Sequence, residues 1–358
     1  MVSEGSVNAK TGKSVGVVIG NLNTAMQKLE KTEKQLLSNP KHIQLIPCQQ
    51  CEGCRLDYAR SWAARCMLEA KFHESNWFVT LTYDPENVPT LNTISGELYR
   101  GGTTLIKDDK IIESLTLEPN DLKLFWHRLR KQITRDEKYE RGMKERDKLP
   151  EDIEQRLKIR YYACGEYGSR TARPHYHAII FNLNIPDLKV HTIKDGNPYY
   201  ISEWLKKIWG HGNILISKVN WDTCAYVARY MQKKIKGKSA KDVYHKLGRV
   251  PEFSRMSNKG GIGQSYYENH KDEIYALDEI ILANGQKIKP PRYYDKLYDL
   301  EKPEELDIIK TKRTDIASSK LAYDLHALQA RGISYQDALA IQETAKRNRT
   351  KKLKRNLE

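Results

Sequence analysis

The sequence predicts an α+β fold built on an antiparallel sheet, and three observations carry that reading. Runs rich in β-branched and aromatic residues alternate with amphipathic stretches in the order strand, helix, strand, strand, helix, strand, helix. The second and third strands are joined by a short Gly/Ser/Arg turn, which makes them an antiparallel hairpin. The whole order is that of split βαβ units, the ferredoxin-like arrangement also found in RRM domains, with helices expected on one face of the sheet and helical extensions beyond it.

Each element can be justified in turn. Residues 1–45 are mixed and polar and read as a flexible arm, with no strand and one helix around 24–37. After Pro47, Leu56, Ala59, Ala63, Cys66, Met67 and Ala70 recur at helical spacing, and that helix ends near His73. Trp77 to Tyr83 is a strand stopped by Asp84-Pro85, and residues 84–116 read as a long loop or exposed hairpin. A cap at Asn120 opens a helix carrying Leu122, Phe125, Trp126, Leu129 and Ile133, followed to Arg156 by a highly charged, solvated stretch. Arg160–Glu166 and His175–Phe181 form the hairpin, Glu203–Trp209 a short helix, Asn213–Val219 a strand, and Asp222–Lys236 a helix. Residues 251–267 read as loop. Asn284-Gly285 marks a hairpin turn, and the chain from Glu304 is helical in composition and ends in the basic run Lys346 to Arg355.

Composition narrows the function. Sixty-one lysines and arginines against 46 acids give a formal charge of +15 in 358 residues, so a polyanion, nucleic acid first, is the expected partner. A mean hydropathy of −0.71 and the absence of an apolar run of about 20 residues exclude a membrane span. No secretory signal is visible, which points to a reducing cytosol, and the six cysteines are too few for a disulfide scaffold.

Three constellations carry chemistry. His175 and His177 alternate on a strand and therefore share a face, which makes half of a metal site; Glu166, across the hairpin, is the third candidate ligand. Two surface histidines on an edge strand are the alternative. Tyr226, Tyr230 and Lys233 fall within about 60° of one another on a helix, away from the apolar stripe of Cys224, Val227, Ala228 and Met231. A structural tyrosine pair would have the same spacing. Cys48, Cys51 and Cys54 offer three thiolates for a structural zinc, with Cys66, His42 or His73 as a fourth donor; Cys66 equally suits a buried helix face. Cys164 and Cys224 are expected to pack in the core.

From Pro47 to Tyr298 the sequence resembles the HUH endonucleases, and among them the replication initiators of microviruses of the gokushovirus-like group. The resemblance rests on Pro47-Cys48-x-x-Cys51-x-x-Cys54-Arg55, Phe78-Val79-Thr80-Leu81-Thr82-Tyr83-Asp84, Gly165-Glu166-Tyr167-Gly168 leading to Arg173-Pro174-His175-Tyr176-His177, and Tyr226-Val227-Ala228-Arg229-Tyr230-x-x-Lys233. Downstream, Ser254-Arg255-Met256-Ser257, Gly261-Ile262-Gly263 and Pro290-Pro291-Arg292-Tyr293-Tyr294-Asp295 agree in order.

The resemblance implies a rolling-circle initiator that nicks and joins single-stranded DNA at an origin through a covalent 5′-phosphotyrosine. His175, His177 and Glu166 would hold Mg or Mn, Tyr226 and Tyr230 would be the nucleophiles, and Lys233 would offset charge. Arg170, Arg173, Arg229 and Lys234 are the candidate phosphate contacts. Host helicase and polymerase, no membrane, and the bacterial host's cytoplasm complete the expectation. The implied organisation is an arm at 1–45, an HUH nuclease domain with the cysteine cluster at 46–236, a family-specific extension at 237–300 and a helical basic tail at 301–358. Two rivals remain at this point. One is a plasmid-type or transposase-type HUH nuclease. The other is a non-catalytic single-strand binder that stacks bases on Trp77, Tyr161, Tyr162 and Tyr176.

Overall fold

The computed structural model describes residues 2–7, 14–20, 27, 32, 35, 43–45, 51–229, 240–282 and 285–353. Two compact units divide the chain, one of residues 58–270 and one of residues 1–57 with 271–358. In the second of these, β1 (Val2–Val7), β2 (Ser14–Gly20) and β3 (Ile43–Leu45) form a sheet in the order β2-β1-β3. This overturns the expectation of an arm without strands: the run from Val15 to Ile19 is short but β-branched, and residues Ser14 to Val18 find partners across β1. The helix expected at 24–37 lies almost wholly outside the described residues.

Helix α1 (Glu52–Ala70) leads to β4 (Asn76–Thr82). The expected loop at 84–116 is instead a small antiparallel sheet of β5 (Pro89–Asn92), β6 (Leu98–Arg100), β7 (Leu105–Lys107) and β8 (Lys110–Leu115), in the order β6-β5-β8-β7. Its strands are too short for their alternation to stand out in sequence. Helix α2 (Pro119–Glu140) is capped not by Asn120 but by Glu118, whose side chain accepts from the Asn120 amide, with Pro119 in the first turn where a missing N–H costs nothing. It runs through part of the charged stretch, and α3 (Glu151–Arg156) follows.

Then come β9 (Arg160–Tyr167), β10 (Pro174–Phe181), β11 (Lys189–Lys194), β12 (Asn197–Ile201), α4 (Glu203–Trp209), β13 (Ile214–Lys218), α5 (Trp221–Arg229), α6 (Ala240–Lys246), β14 (Phe253–Met256) and α7 (Gln264–Leu277). The main sheet has the order β11-β12-β13-β4-β10-β9-β14, and every neighbouring pair is antiparallel. Its centre, β13-β4-β10-β9, is the expected split βαβ arrangement: β10 inserts between β4 and β9, which α2 connects, and β4 inserts between β10 and β13, which α4 connects. The edges are additions. The hairpin β11–β12 lengthens one side and β14, in a stretch expected to be loop, pairs with β9 on the other.

Strand alternation divides the core. Tyr176, Ala178 and Ile180 of β10 join Leu122, Phe125, Trp126 and Leu129 of α2 and Leu205, Ile208 and Trp209 of α4. Ile179 and Phe181 join Phe78, Tyr162 and Cys164 with Ala59, Ala63 and Cys66 of α1 and Cys224, Val227 and Ala228 of α5. Helices therefore cover both faces, not one. The small side chains of α1 let its backbone lie close over the strands, and each fully buried Leu, Ile or Phe contributes roughly 1.5–3 kcal/mol.

In the unit of residues 271–358, β15 (Ile280–Ile281) and β16 (Lys287–Ile288) pair antiparallel, with Gly285 at φ +77° in the turn the sequence marked. Pro291 caps α8 (Arg292–Glu301), whose Tyr294 and Tyr298 are buried. Helices α9 (Pro303–Ala330) and α10 (Tyr335–Leu353) confirm the helical tail. Among the described residues no helix is long and apolar enough to cross a membrane.

Candidate metal and nucleophile site

The site is made by register. On the β9–β10 hairpin His175 lies directly across from Glu166 and His177 across from Cys164, while on the other side of β10 His177 lies across from Thr80. Residues 175, 177, 166 and 80 thus share the sheet face that α1 and α5 cover. The turn that sets this register is tight: Gly168 N donates to Arg173 O at 3.0 Å, and Ala172 takes the left-handed conformation at φ +52°. Next to Glu166, Gly165 faces the other side, where a Cβ would come within 3.1 Å of Leu117 and Phe253.

The donor atoms converge. Glu166 Oε1 lies 2.6 Å from His175 Nε2 and 2.9 Å from His177 Nε2, and one ligand atom from each of the three residues falls within 4.8 Å of the others. Glu166 is 1% exposed and His177 4%, so these are not edge-strand surface histidines. His175 Nδ1 lies 3.0 Å from Arg173 O, a carbonyl that can only accept, so the proton sits on Nδ1. A neutral His175 then turns a bare Nε2 lone pair towards a carboxylate oxygen, and only a proton or a cation between them makes that contact favourable. Burial alone would raise the Glu166 pKa, but hydrogen bonds and charge from His175 and His177 outweigh it and hold the carboxyl below its ordinary value. One carboxylate and two imidazoles suit a divalent cation, and the hard oxygen is compatible with Mg or Mn.

Thr80 was not singled out by sequence, yet its Oγ1 lies 3.0 Å from His177 Nδ1 and orients that ring. The signal was present: Phe78, Thr80 and Thr82 alternate on β4 onto the same face as the histidines. Phe78 stacks on the His177 ring with centroids 5.4 Å apart.

Tyr226 comes to this cluster. Asn220 and Thr223 cap α5 reciprocally, Asn220 Oδ1 accepting from Thr223 N and Thr223 Oγ1 from Asn220 N, both at 2.9 Å. The helix thereby sets Tyr226 edge-on to His177 at 5.0 Å and to Phe78 at 5.9 Å. Tyr226 is buried with Cys224, Val227 and Ala228, which corrects the expectation that the tyrosine face points away from the core stripe. The helical arithmetic was sound, but α5 lies deep enough on the sheet to bury more than one stripe. Tyr230, Lys233 and Lys234 lie outside the described residues.

Arg170 is exposed in the hairpin turn, Arg173 donates to Tyr83 O at 2.9 Å, and Arg229 is half-buried at the end of α5. Cys51 and Cys54 lie at the start of α1 and Cys48 outside the described residues; among those described, the only three-donor metal cluster is Glu166, His175 and His177. Cys66, Cys164 and Cys224 are buried core thiols, as expected. The proposed stacking platforms are covered: Tyr162 lies beneath Trp62 at 4.7 Å, Tyr161 against Trp126 at 3.9 Å, and Tyr176 is fully buried.

A ferredoxin-like sheet with a buried Glu-His-His cluster beside a tyrosine-bearing helix defines a class of protein suited to phosphate chemistry. The family model for replication-associated protein ORF2 matches residues 76–235, which contain the cluster and every strand of the main sheet except β14. The chain is 32% identical over 285 residues to replication-associated protein VP4 of Bdellovibrio phage phiMH2K, covering 78% of this chain and 76% of that one. It is 32% identical over 319 residues to replication-associated protein ORF2 of Spiroplasma virus 4, covering 87% and 85%. With replication-associated protein ORF4 of Chlamydia phage 1 the identity is 25% over 260 residues, 70% of this chain and 53% of that one. The chain belongs to this family of phage replication-associated proteins, the microvirus-like replication initiators. No solved structure matches it significantly.

Proposed function

We propose that this initiator nicks and rejoins single-stranded DNA at a replication origin through a covalent 5′-phosphotyrosine, with Mg or Mn held by Glu166, His175 and His177. The observation that carries the reading is the 5.0 Å edge-on contact of Tyr226 with His177, which brings a phenol-bearing helix to a three-donor cluster. When bound, the divalent ion supplies charge neutralisation and polarisation of the scissile phosphate. The remaining work belongs to side chains. Arg173 O and Thr80 Oγ1 fix the two imidazoles, so their Nε2 atoms need no reorganisation. The Tyr226 phenol gives up its proton to solvent, and its oxygen attacks phosphorus in line. The bond from phosphorus to the 3′ oxygen breaks, and that oxygen leaves as a hydroxyl after taking a proton. Because the ester is conserved in the adduct, a free 3′-hydroxyl can later reverse the step and join strands.

Tyr230, one helical turn on in sequence, is assigned as the second nucleophile and Lys233 as a cation for the phosphate or phenolate. Arg170, Arg173, Arg229 and Lys234 are assigned to flanking phosphates, and unwinding and synthesis to host helicase and polymerase in the bacterial cytoplasm. Incubation with labelled single-stranded origin DNA tests the reading. A covalent adduct should form with Mg or Mn and be absent with EDTA. Cleavage at the wild-type rate by the His175→Ala, His177→Ala double variant would overturn it.

A further inference from the structure

On the opposite side of the main sheet from the triad, the outer surface of α2 carries a pattern that helix formation does not explain. Its inner stripe, Leu122, Phe125, Trp126 and Leu129, is buried. From Leu122 to Arg135 the helix contains Lys123, His127, Arg128, Arg130, Lys131 and Arg135 and no acid. Lys123, His127, Arg130, Lys131 and Arg135 are exposed, whereas Arg128 turns inward to the carbonyls of Ile208 and Trp209. Lys123, His127, Lys131 and Arg135 follow one another at i+4, a cationic ridge with steps of about 6 Å. Like charges at that spacing destabilise a helix by a few tenths of a kcal/mol per pair, and cations near its N-terminus oppose the helix dipole.

The long helix α9 shows what a merely solvated surface looks like here. It mixes signs, and Lys310 pairs with Asp307 one turn away at 3.1 Å. On α2, by contrast, a groove of about 320 Å³ is lined by His127, Arg130, Lys131, Arg135 and Lys138 with Thr134 and a single acid, Glu145. Glu145 comes from beyond the helix and pairs with Arg135 at 3.0 Å, leaving the excess charge positive. The ridge also begins close to the site: Glu118, at the N-terminus of α2, donates its amide to the hydroxyl of Tyr176, the residue between the two histidines.

We infer that the outer face of α2 is a second nucleic-acid contact, which takes the phosphate backbone of DNA flanking the strand held at the triad. Successive basic side chains at i+4 meet successive phosphates, so the contact is sequence-independent and fixes where the DNA lies. This inference rests on the proposed function for the identity of the polyanion.

The test is an anisotropy titration of the full chain against salt, using a labelled single strand and, separately, a labelled duplex, each extending well beyond the cleavage position. The variant Lys123→Gln, Arg130→Gln, Lys131→Gln should weaken binding at least tenfold near physiological salt. It should flatten the slope of log affinity against log salt by about 2 on the single strand, or about 3 on the duplex, at roughly 0.7 and 0.9 per lost phosphate contact. The larger change identifies the form of DNA that lies on α2. Lys107→Gln, Lys189→Gln, Lys194→Gln removes the same charge from exposed positions elsewhere in this unit and should leave the slope almost unchanged. Arg130→Lys should keep it as well, and equal melting temperatures establish that the glutamine variants fold. At saturation, adduct formation on an oligonucleotide spanning only the cleavage site should stay at the wild-type rate in the α2 variant. Equal slopes for the α2 variant, the control and the wild type would overturn the inference. Absence of adduct in every protein would instead contradict the proposed function while leaving the slope comparison intact.

Discussion

Two buried carboxylates lie back to back across β10. On one face Glu166 is met by His175 and His177, whose charge depends on a proton or a metal. On the other, Asp121, 2% exposed, is met by the permanent cation of Arg100 through two 2.8 Å bonds and by the Tyr83 hydroxyl at 2.5 Å. Tyr83 bonds in turn to Tyr176, the residue between the histidines, at 2.8 Å. Glu69 repeats the Asp121 solution, with Arg160 as its cation. Where the fold needs a buried carboxylate only for structure it supplies a guanidinium. Glu166 is given two imidazoles instead, and that arrangement leaves room for an exchangeable cation.

The contrast is broken most severely by removing partners. His175→Ala with His177→Ala should lower adduct formation at least about a hundredfold, a loss of the size expected for a missing electrostatic catalyst. Most DNA affinity should survive, since the basic surface supplies it, and a filter-binding assay beside the cleavage assay checks both. Arg100→Ala should do the reverse: about 3 kcal/mol of stability is lost in denaturant melts, the low end for a broken buried pair because Arg100 is partly exposed, while the folded fraction still cleaves. If Arg100→Ala abolished cleavage without affecting stability, the structural role given to Asp121 would be wrong.

Metal should act on one side only. With Mn or Mg at about 100 times its dissociation constant, the wild-type chain should gain roughly 2.7 kcal/mol, seen as a raised melting temperature that EDTA reverses, and the double histidine variant should gain nothing.

Acid sharpens the same division. Burial pushes the Glu69 carboxyl up, but His73, the Gly263 amide and Arg160 together hold it below its ordinary value. Its interactions therefore stabilise the fold fully above the unfolded value of about 4.3, and that contribution is lost as pH falls through the lower folded value. Stability of Glu69→Gln should depend less on pH across this acid range, and melts at a series of pH values measure it. The smallest effect expected is from Tyr176→Phe, about 1 kcal/mol for the lost hydroxyl bonds to Tyr83 and Glu118, with cleavage retained.

The functional face was far more readable than its counterpart. Period-two alternation aligned His175 and His177, and a short turn between strands placed Glu166 opposite, so local rules sufficed. Asp121 looked like part of a helix start, and nothing local pairs it with Arg100 on β6, a strand of the small sheet that the sequence did not reveal. The missed elements share a cause. Strand β14 is defined by pairing with β9 nearly ninety positions away, and β11 is exposed along its whole length, so neither has a hydrophobic alternation of its own. Tyr226 was found, but how deeply α5 sinks into the sheet depends on the small residues of α1 and on Phe78, which spacing along one helix does not encode.

The most direct test of the account is the position of the covalent bond. After incubation with labelled single-stranded origin DNA and Mn or Mg, the trapped adduct is digested and the DNA-bearing peptide identified. The account predicts DNA on Tyr226 or Tyr230 and none in the double histidine variant. DNA attached to any other residue, or an undiminished adduct without the histidines, would contradict it.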